Sequence, residues 1–152
     1  MNFLWKKIQN QIDIDAGAEV VWEILAEVNN YKNWNPFLSQ AHGQVLEGSF
    51  LELTMSPPGS SPRQKKVLVT TLKPCNELSW KGIKVHSLYF SGHNRFKLIS
   101  LSESQTRLVQ EEVFAGLLVP FISAWLDQHM SAGFRQMLTA LKRRIDEQSH
   151  QN

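Results

Sequence analysis

Few residues in this chain have the types and spacing for chemistry. The five histidines, His42, His86, His93, His129 and His150, include no i, i+4 helical pair and no HExxH, and Cys75 has no CxxC partner, so no metal site or redox pair can be read from them. The GxSxG, P-loop and GxGxxG patterns are absent, which removes serine hydrolase, nucleotide hydrolase and dinucleotide chemistry together and leaves no cofactor implied. The best single candidate is Glu112, in the alternating run Leu108-Val109-Gln110-Glu111-Glu112-Val113-Phe114.

Whether Glu112 faces a core depends on how its strand pairs with the one before it. A two- or four-residue loop at Ser102-Glu103 would put His93, Arg95 and Lys97 on the face of Glu112 and Phe114. A three- or five-residue loop instead groups Asn94, Phe96 and Leu98 with Leu108, Gln110, Glu112 and Phe114, leaving His93, Arg95, Lys97, Arg107 and Glu111 outside. The second arrangement segregates charge and is the one expected. Glu112 is then an acid on an apolar face beside Asn94 and Gln110. Desolvation raises the pKa of such a carboxyl and suits it to act as general acid, general base or anchor for a ligand hydroxyl. The plain alternative is a structural network in which Asn94, Gln110 or a cation from another strand satisfies it, or a place near an open end of the fold.

The elements that must position these residues follow from periodicity. Trp5 to Asp15 carries Ile8, Ile12 and Ile14 among polar neighbours and reads as a first strand. From Glu19 to Asn29, Val21, Ile24, Leu25 and Val28 fall at i, i+3, i+4 and i+7, the face of a helix, and Tyr31 to Trp34 adds a short turn stopped by Pro36. Leu38 to Gly116 is rich in Val, Leu, Thr, Phe and Trp and divides into six strands, with Ser56 to Pro62 as a hairpin loop. Within it, Leu68, Thr70 and Leu72 are expected to share the dry face with Leu78 and Trp80. After Pro120 a long helix to about Glu147 places Leu126, Met130, Phe134, Met137, Leu138, Leu141 and Ile145 within an arc of about 120° at ~100° per residue. Phe121 and Trp125 lie roughly opposite that stripe and need another partner: the first helix, a ligand entrance or a second chain, which would make a homodimer.

Composition sets the outer bounds. With 152 residues, 42% hydrophobic and 20% charged, the chain is expected to form one domain over 1–147 followed by a frayed polar tail, 148–152. The formal charge of +2 comes with scattered basic pairs, Lys6-Lys7, Lys65-Lys66 and Arg143-Arg144, read as solvated surface, so no nucleic-acid partner is expected. The longest mostly apolar stretch, Phe114 to Leu126, is shorter than the roughly 20 residues of a membrane span and contains Pro120. One cysteine and an N-terminal stretch without a signal-like apolar core make a reducing cytoplasm the default.

Val20-Val21-Trp22-Glu23-Ile24-Leu25, Tyr31-Lys32-Asn33-Trp34-Asn35-Pro36-Phe37, Leu78-Ser79-Trp80-Lys81-Gly82, Gly92-x-x-x-Phe96-x-Leu98 and Glu112-Val113-Phe114-Ala115-Gly116-Leu117-Leu118 occur in an order that resembles the START-like (SRPBCC) superfamily, in its bacterial polyketide cyclase/dehydrase-like branch. The resemblance implies an α+β helix-grip fold: a curved seven-stranded antiparallel sheet wrapped around a long C-terminal helix, with two short helices after the first strand. It also implies a cavity between sheet and helix for a small hydrophobic molecule such as a lipid or polyketide. On that reading the pocket takes Trp34, Leu68, Thr70, Trp80, Asn94, Phe96, Leu98, Gln110, Glu112, Phe114, Met130, Phe134 and Met137. Trp34 serves equally as a plug at one end of the core, and Met130 and Met137 as core filler. Relatives tend to read G-x-H-x-F where this chain has Asn94, with His93 displaced by one, so a histidine base at that place is in doubt. Three functions follow from the resemblance: a binding module, an enzyme with Glu112 as acid/base and Asn94 or Tyr89 polarising a carbonyl, or a protein-interaction module.

Overall fold

The computed structural model describes residues 4–83 and 88–151; His86, residues 1–3 of the expected domain and Asn152 of the expected tail lie outside them. Strands β1 (Trp5–Ile14), β2 (Leu38–Gly43), β3 (Phe50–Met55), β4 (Arg63–Lys73), β5 (Glu77–Gly82), β6 (Ser91–Ser102) and β7 (Gln105–Ala115) form one antiparallel sheet in the order β1-β7-β6-β5-β4-β3-β2. Helix α1 (Ala18–Ala26) and a 3₁₀ turn (Val28–Asn33) bridge β1 to β2. The chain then closes with α2 (Val119–Trp125), a π turn (Leu126–Met130) and α3 (Ser131–His150). Among the described residues no helix is long and apolar enough to cross a membrane.

Alternation along β6 and β7 is strict, because one face of each strand must leave water. Asn94 pairs with Glu112, Phe96 with Gln110 and Leu98 with Leu108, all buried, while His93, Lys97 and Val109 face outward. The charge-segregating register is therefore present, by a route different from a three-residue loop. Ser102 pairs with Gln105 around a two-residue turn, and a bulge between Ser100 and Ser102 supplies the extra residue.

A second bulge overturns the expected face of β4. Between Val69 and Thr71 the register slips, so Val67 and Val69 are buried and only Leu72, beyond the slip, pairs with Leu78. Leu68 and Thr70 lie on the outer face, where Leu68 pairs with the half-exposed Phe50 and Thr70 Oγ1 stands 3.0 Å from His93 Nε2. The same phase carries Lys65 inward. Both phases of Val67-Leu68-Val69 are apolar, so composition alone could not choose between them.

The helix expected over Glu19 to Asn29 is split at Glu27. In an unbroken helix the Leu25 carbonyl would take the Asn29 N–H; here it accepts the buried Tyr31 hydroxyl instead. At the other end of the chain, α3 continues through His150, three residues into the expected tail.

Helix α3 lies on the concave face of the sheet through the expected stripe. Leu126, Met130, Phe134, Met137, Leu138, Leu141 and Ile145 are each no more than 3% exposed. Phe37, Phe134, Phe96 and Trp80 run in a series of edge-to-face contacts, with centroids 4.8, 6.1 and 5.5 Å apart. Gly133 permits the closest approach: a Cβ there would stand 2.3 Å from the Phe37 ring. Gly133→Ala gains about 1 kcal/mol of helix propensity but overpacks a fully buried ring at a cost of about 2–3 kcal/mol. Urea unfolding is expected to show a net loss of roughly 1–2 kcal/mol, and an unchanged midpoint would contradict the packing described.

Candidate functional site

Helix α3 packs against β1 and the inner face of β6, and a cavity of about 530 Å³ is left toward α2. Its walls come from β3, β4 and the β5–β7 ends: Met55, Ile83, Phe90 and Phe114 on the sheet side, Leu118, Ile122, Leu126 and Met130 on the helical side. Phe90 and Phe114 stack with centroids 5.7 Å apart and planes 18° from parallel, giving one flat apolar wall.

A π turn makes the helical wall possible. It accommodates one extra residue and so rotates α2 by about 100° relative to the phase of α3. Phe121 and Trp125, which a straight helix would turn away from the stripe, instead line the cavity. Phe121 is 84% exposed at its mouth. Trp125 forms part of the wall, with the Arg63 guanidinium 4.9 Å from its ring centroid. His129 Nδ1 lies 2.8 Å from the Pro58 carbonyl, and Lys6 pairs with Asp127 at 2.8 Å, so the π turn is tied both to the β3–β4 loop and to β1.

At the sheet end of the cavity two glycines make room for two charges. A Cβ on Gly82 would stand 3.0 Å from Lys65 Cε, and one on Gly92 would stand 2.7 Å from Glu112 Oε2. Through this cleared floor Lys65 Nζ comes to 3.7 Å from Glu112 Oε2, longer than the roughly 2.7–2.9 Å of a charge-assisted hydrogen bond. Glu112 is 1% exposed, and its Oε2 has no hydrogen-bond partner among the described residues. Burial pushes its carboxyl above the ordinary value of 4.5, with the Lys65 ammonium pulling the other way.

Behind Glu112 runs a buried polar row. Gln110 Nε2 donates to Asn94 Oδ1 at 2.9 Å, and Asn10 Nδ2 donates to Gln110 Oε1 at 3.1 Å while lying 3.4 Å from the carbonyl and hydroxyl of Ser131 on α3. Asn94 Nδ2 is left without a partner among the described residues. A buried donor and a buried acceptor thus stand on directly paired residues, each unsatisfied at a cost of about 1–3 kcal/mol.

The sequence-selected residues divide accordingly. Phe114 and Met130 line the cavity, and Glu112 lies against its glycine floor. Asn94 and Gln110 form the polar row; Trp80, Phe96, Leu98, Phe134 and Met137 are buried in the packed interior and are not among its lining residues. Leu68 and Thr70 are on the outer face. Trp34 sits with its ring edge against Tyr31, centroids 5.2 Å apart, and Tyr89 is half-exposed; neither is a lining residue. Among the described residues no three His, Cys, Asp or Glu side chains are grouped to hold a metal.

A family model described as polyketide cyclase/dehydrase and lipid transport matches residues 6–146, nearly the whole chain. The chain belongs to this family. Among solved structures it is similar to the Zhui aromatase/cyclase from a Streptomyces species, at 18% identity and a TM-score of 0.69 over 93% of this chain and 96% of that one. It is also similar to norcoclaurine synthase from Thalictrum flavum, at 13% identity and a TM-score of 0.74 over 95% and 96% of the two chains. A two-domain aromatase/cyclase, BexL, gives 15% identity and a TM-score of 0.76, and this chain spans 50% of its length. At these identities the likeness establishes the helix-grip fold. No curated protein matches the sequence.

In this family member sequence reasoning missed the wall residues Met55, Ile83, Phe90, Leu118 and Ile122 and the cations Arg63 and Lys65. Lys66, the basic neighbour of Lys65, made that pair look like solvated surface, whereas Lys66 alone faces out, its Nζ 4.7 Å from the Phe50 ring centroid. The available signal was the odd-numbered phase Lys65-Val67-Val69, which the bulge conceals. The raised pKa of Glu112 also has a consequence for stability. The group stays protonated in the folded chain where the unfolded chain has already ionised, so its contribution is full below the unfolded pKa and is lost as pH rises through the folded one. Glu112→Gln is expected to flatten that loss, so that its Tm falls less than the parent's between pH 4.5 and pH 8 in paired thermal melts.

Proposed function

We propose that this family member binds a small, largely apolar molecule in the cavity between the sheet and α2. The observation that carries the reading is the cavity itself: about 530 Å³ of space bounded mainly by apolar side chains. That volume lies within the roughly 300–1,000 Å³ of ordinary small-molecule sites. Removal of the ligand's apolar surface from water supplies affinity at about 0.8 kcal/mol per buried CH₂, and the few polar groups at the sheet end select among ligands. Aromatase/cyclases stand among the structural neighbours, and the family covers polyketide cyclases, dehydrases and lipid transport; both are consistent with an apolar cargo.

Glu112 supports a second reading, acid–base catalysis. Its Oε2, ion-paired to Lys65 but without a hydrogen bond among the described residues, and Asn94 Nδ2, also without one, are the two groups a carbonyl compound would need, one to move a proton and one to donate to a developing oxyanion. On that reading Glu112→Gln abolishes turnover of an identified substrate without abolishing its binding.

Titration of the neutral dye Nile red tests the binding reading. Saturable fluorescence enhancement is expected for the parent. Ile122→Trp, which narrows the cavity at a half-buried wall position, is expected to weaken binding about tenfold with little change in Tm, while Trp34→Phe leaves it unaltered. Equal binding by Ile122→Trp and the parent would place the dye elsewhere and remove the support for this cavity.

A further inference from the structure

Among the described residues, the charged side chains that line the cavity are Arg63 and Lys65, and both are cations. The nearest anion, Glu112, lies behind the glycine floor, and its 3.7 Å separation leaves the Lys65 ammonium without a short hydrogen bond. Lys65 is only 21% exposed at its side chain, so most of its stem is covered by the cavity wall. The remaining wall near it is apolar: Phe90, Phe114 and Met130. An ammonium held in a mostly apolar cavity by a distant, buried carboxyl is a charge waiting for a better counter-ion.

We propose that the ligand is an amphipathic carboxylic acid, its carboxylate seated on Lys65 at the glycine floor with Arg63 as the second cation, and its apolar body along Phe114, Met130 and Leu126. This deepens the binding reading above and rests on it. A neutral head would offer Lys65 no closer counter-ion than Glu112, and a cationic head would meet like charge. Because burial favours the neutral form of Glu112, the glutamic acid is able to donate its proton in a hydrogen bond to the incoming carboxylate rather than repel it. Gly82 and Gly92 let Lys65 and Glu112 reach that end of the cavity, since a side chain at either position would meet one of them.

Displacement of Nile red by three chain-matched probes, decanoate, decanol and decyltrimethylammonium, tests the assignment. Decanoate is expected to displace the dye at about tenfold lower concentration than decanol, and the ammonium probe at the highest concentration. Lys65→Met should bring decanoate and decanol within about twofold of each other while the dye still binds. Glu112→Gln, which keeps an uncharged donor beside Lys65, should retain the preference for decanoate over decanol. Equal displacement by decanoate and decanol in the parent, a preference for the ammonium probe, or an unchanged preference in Lys65→Met would overturn the acid assignment and leave the binding reading standing. Failure of every probe to displace bound dye, or of the dye to bind, would overturn both.

Discussion

The pairing of β6 with β7 is the constraint on which the rest of this molecule depends. Each step along that ladder commits two residues at once to the interior or to water, and a slip of one would bring Arg95, Lys97 and Glu111 against α3. The bulge after Ser100 sets the phase, and with it the aromatic series that receives the helix, the polar row and the carboxyl at the cavity floor. Charge outside the sheet supports the same choice: Arg95 and Lys7 both pair with Glu111, at 2.9 and 3.0 Å. These exposed pairs contribute about 1 kcal/mol or less each, so the register is decided chiefly by what the inner face buries.

One helix cannot cover a seven-stranded sheet, and the uncovered part becomes the cavity. The stripe from Leu126 to Ile145 fills the concave face near α1, where Gly133 lets Phe37 come into contact. Toward α2 the rotation introduced by the π turn brings Phe121 and Trp125 round to the cavity and stands them at its rim. The ties from His129 to Pro58 and from Lys6 to Asp127 hold that rim in place. Space is thus produced by helix geometry and by two glycines at the floor, without any residue specialised for making a pocket.

The polar row is costly for a core of this size, and its arrangement is informative. Asn10, Gln110 and Asn94 satisfy one another in sequence, and the row ends at Glu112 beside the cavity, where the hydrogen bonding stops. The row does not close on itself. It ends with a carboxyl pushed upward by burial and an ammonium out of hydrogen-bond range, the kind of polar end that orients a mostly apolar ligand.

Much of the architecture was legible in the amino-acid sequence because burial imposes period. The stripe of the last helix, the Ile8–Ile14 strand and the inner face of β6 and β7 each alternate apolar with polar residues, and one-dimensional pattern suffices wherever a face is wholly wet or wholly dry. Family membership was legible in the same way, from motifs whose order spans the chain. Where both phases of a segment are apolar, as in Val67 to Val69, pattern has no sign to read, and only the pairing of β4 with β5 decided that Leu68 and Thr70 face out and Lys65 faces in. The break at Glu27, the rotation at the π turn and the packed fate of Trp80, Phe96 and Met137 are of the same kind. Each depends on contacts between segments far apart in the chain, which local composition does not encode. The sequence alone determined which faces must be dry; the tertiary structure decided where the dry space was left empty, because a void is set by what neighbouring elements fail to fill.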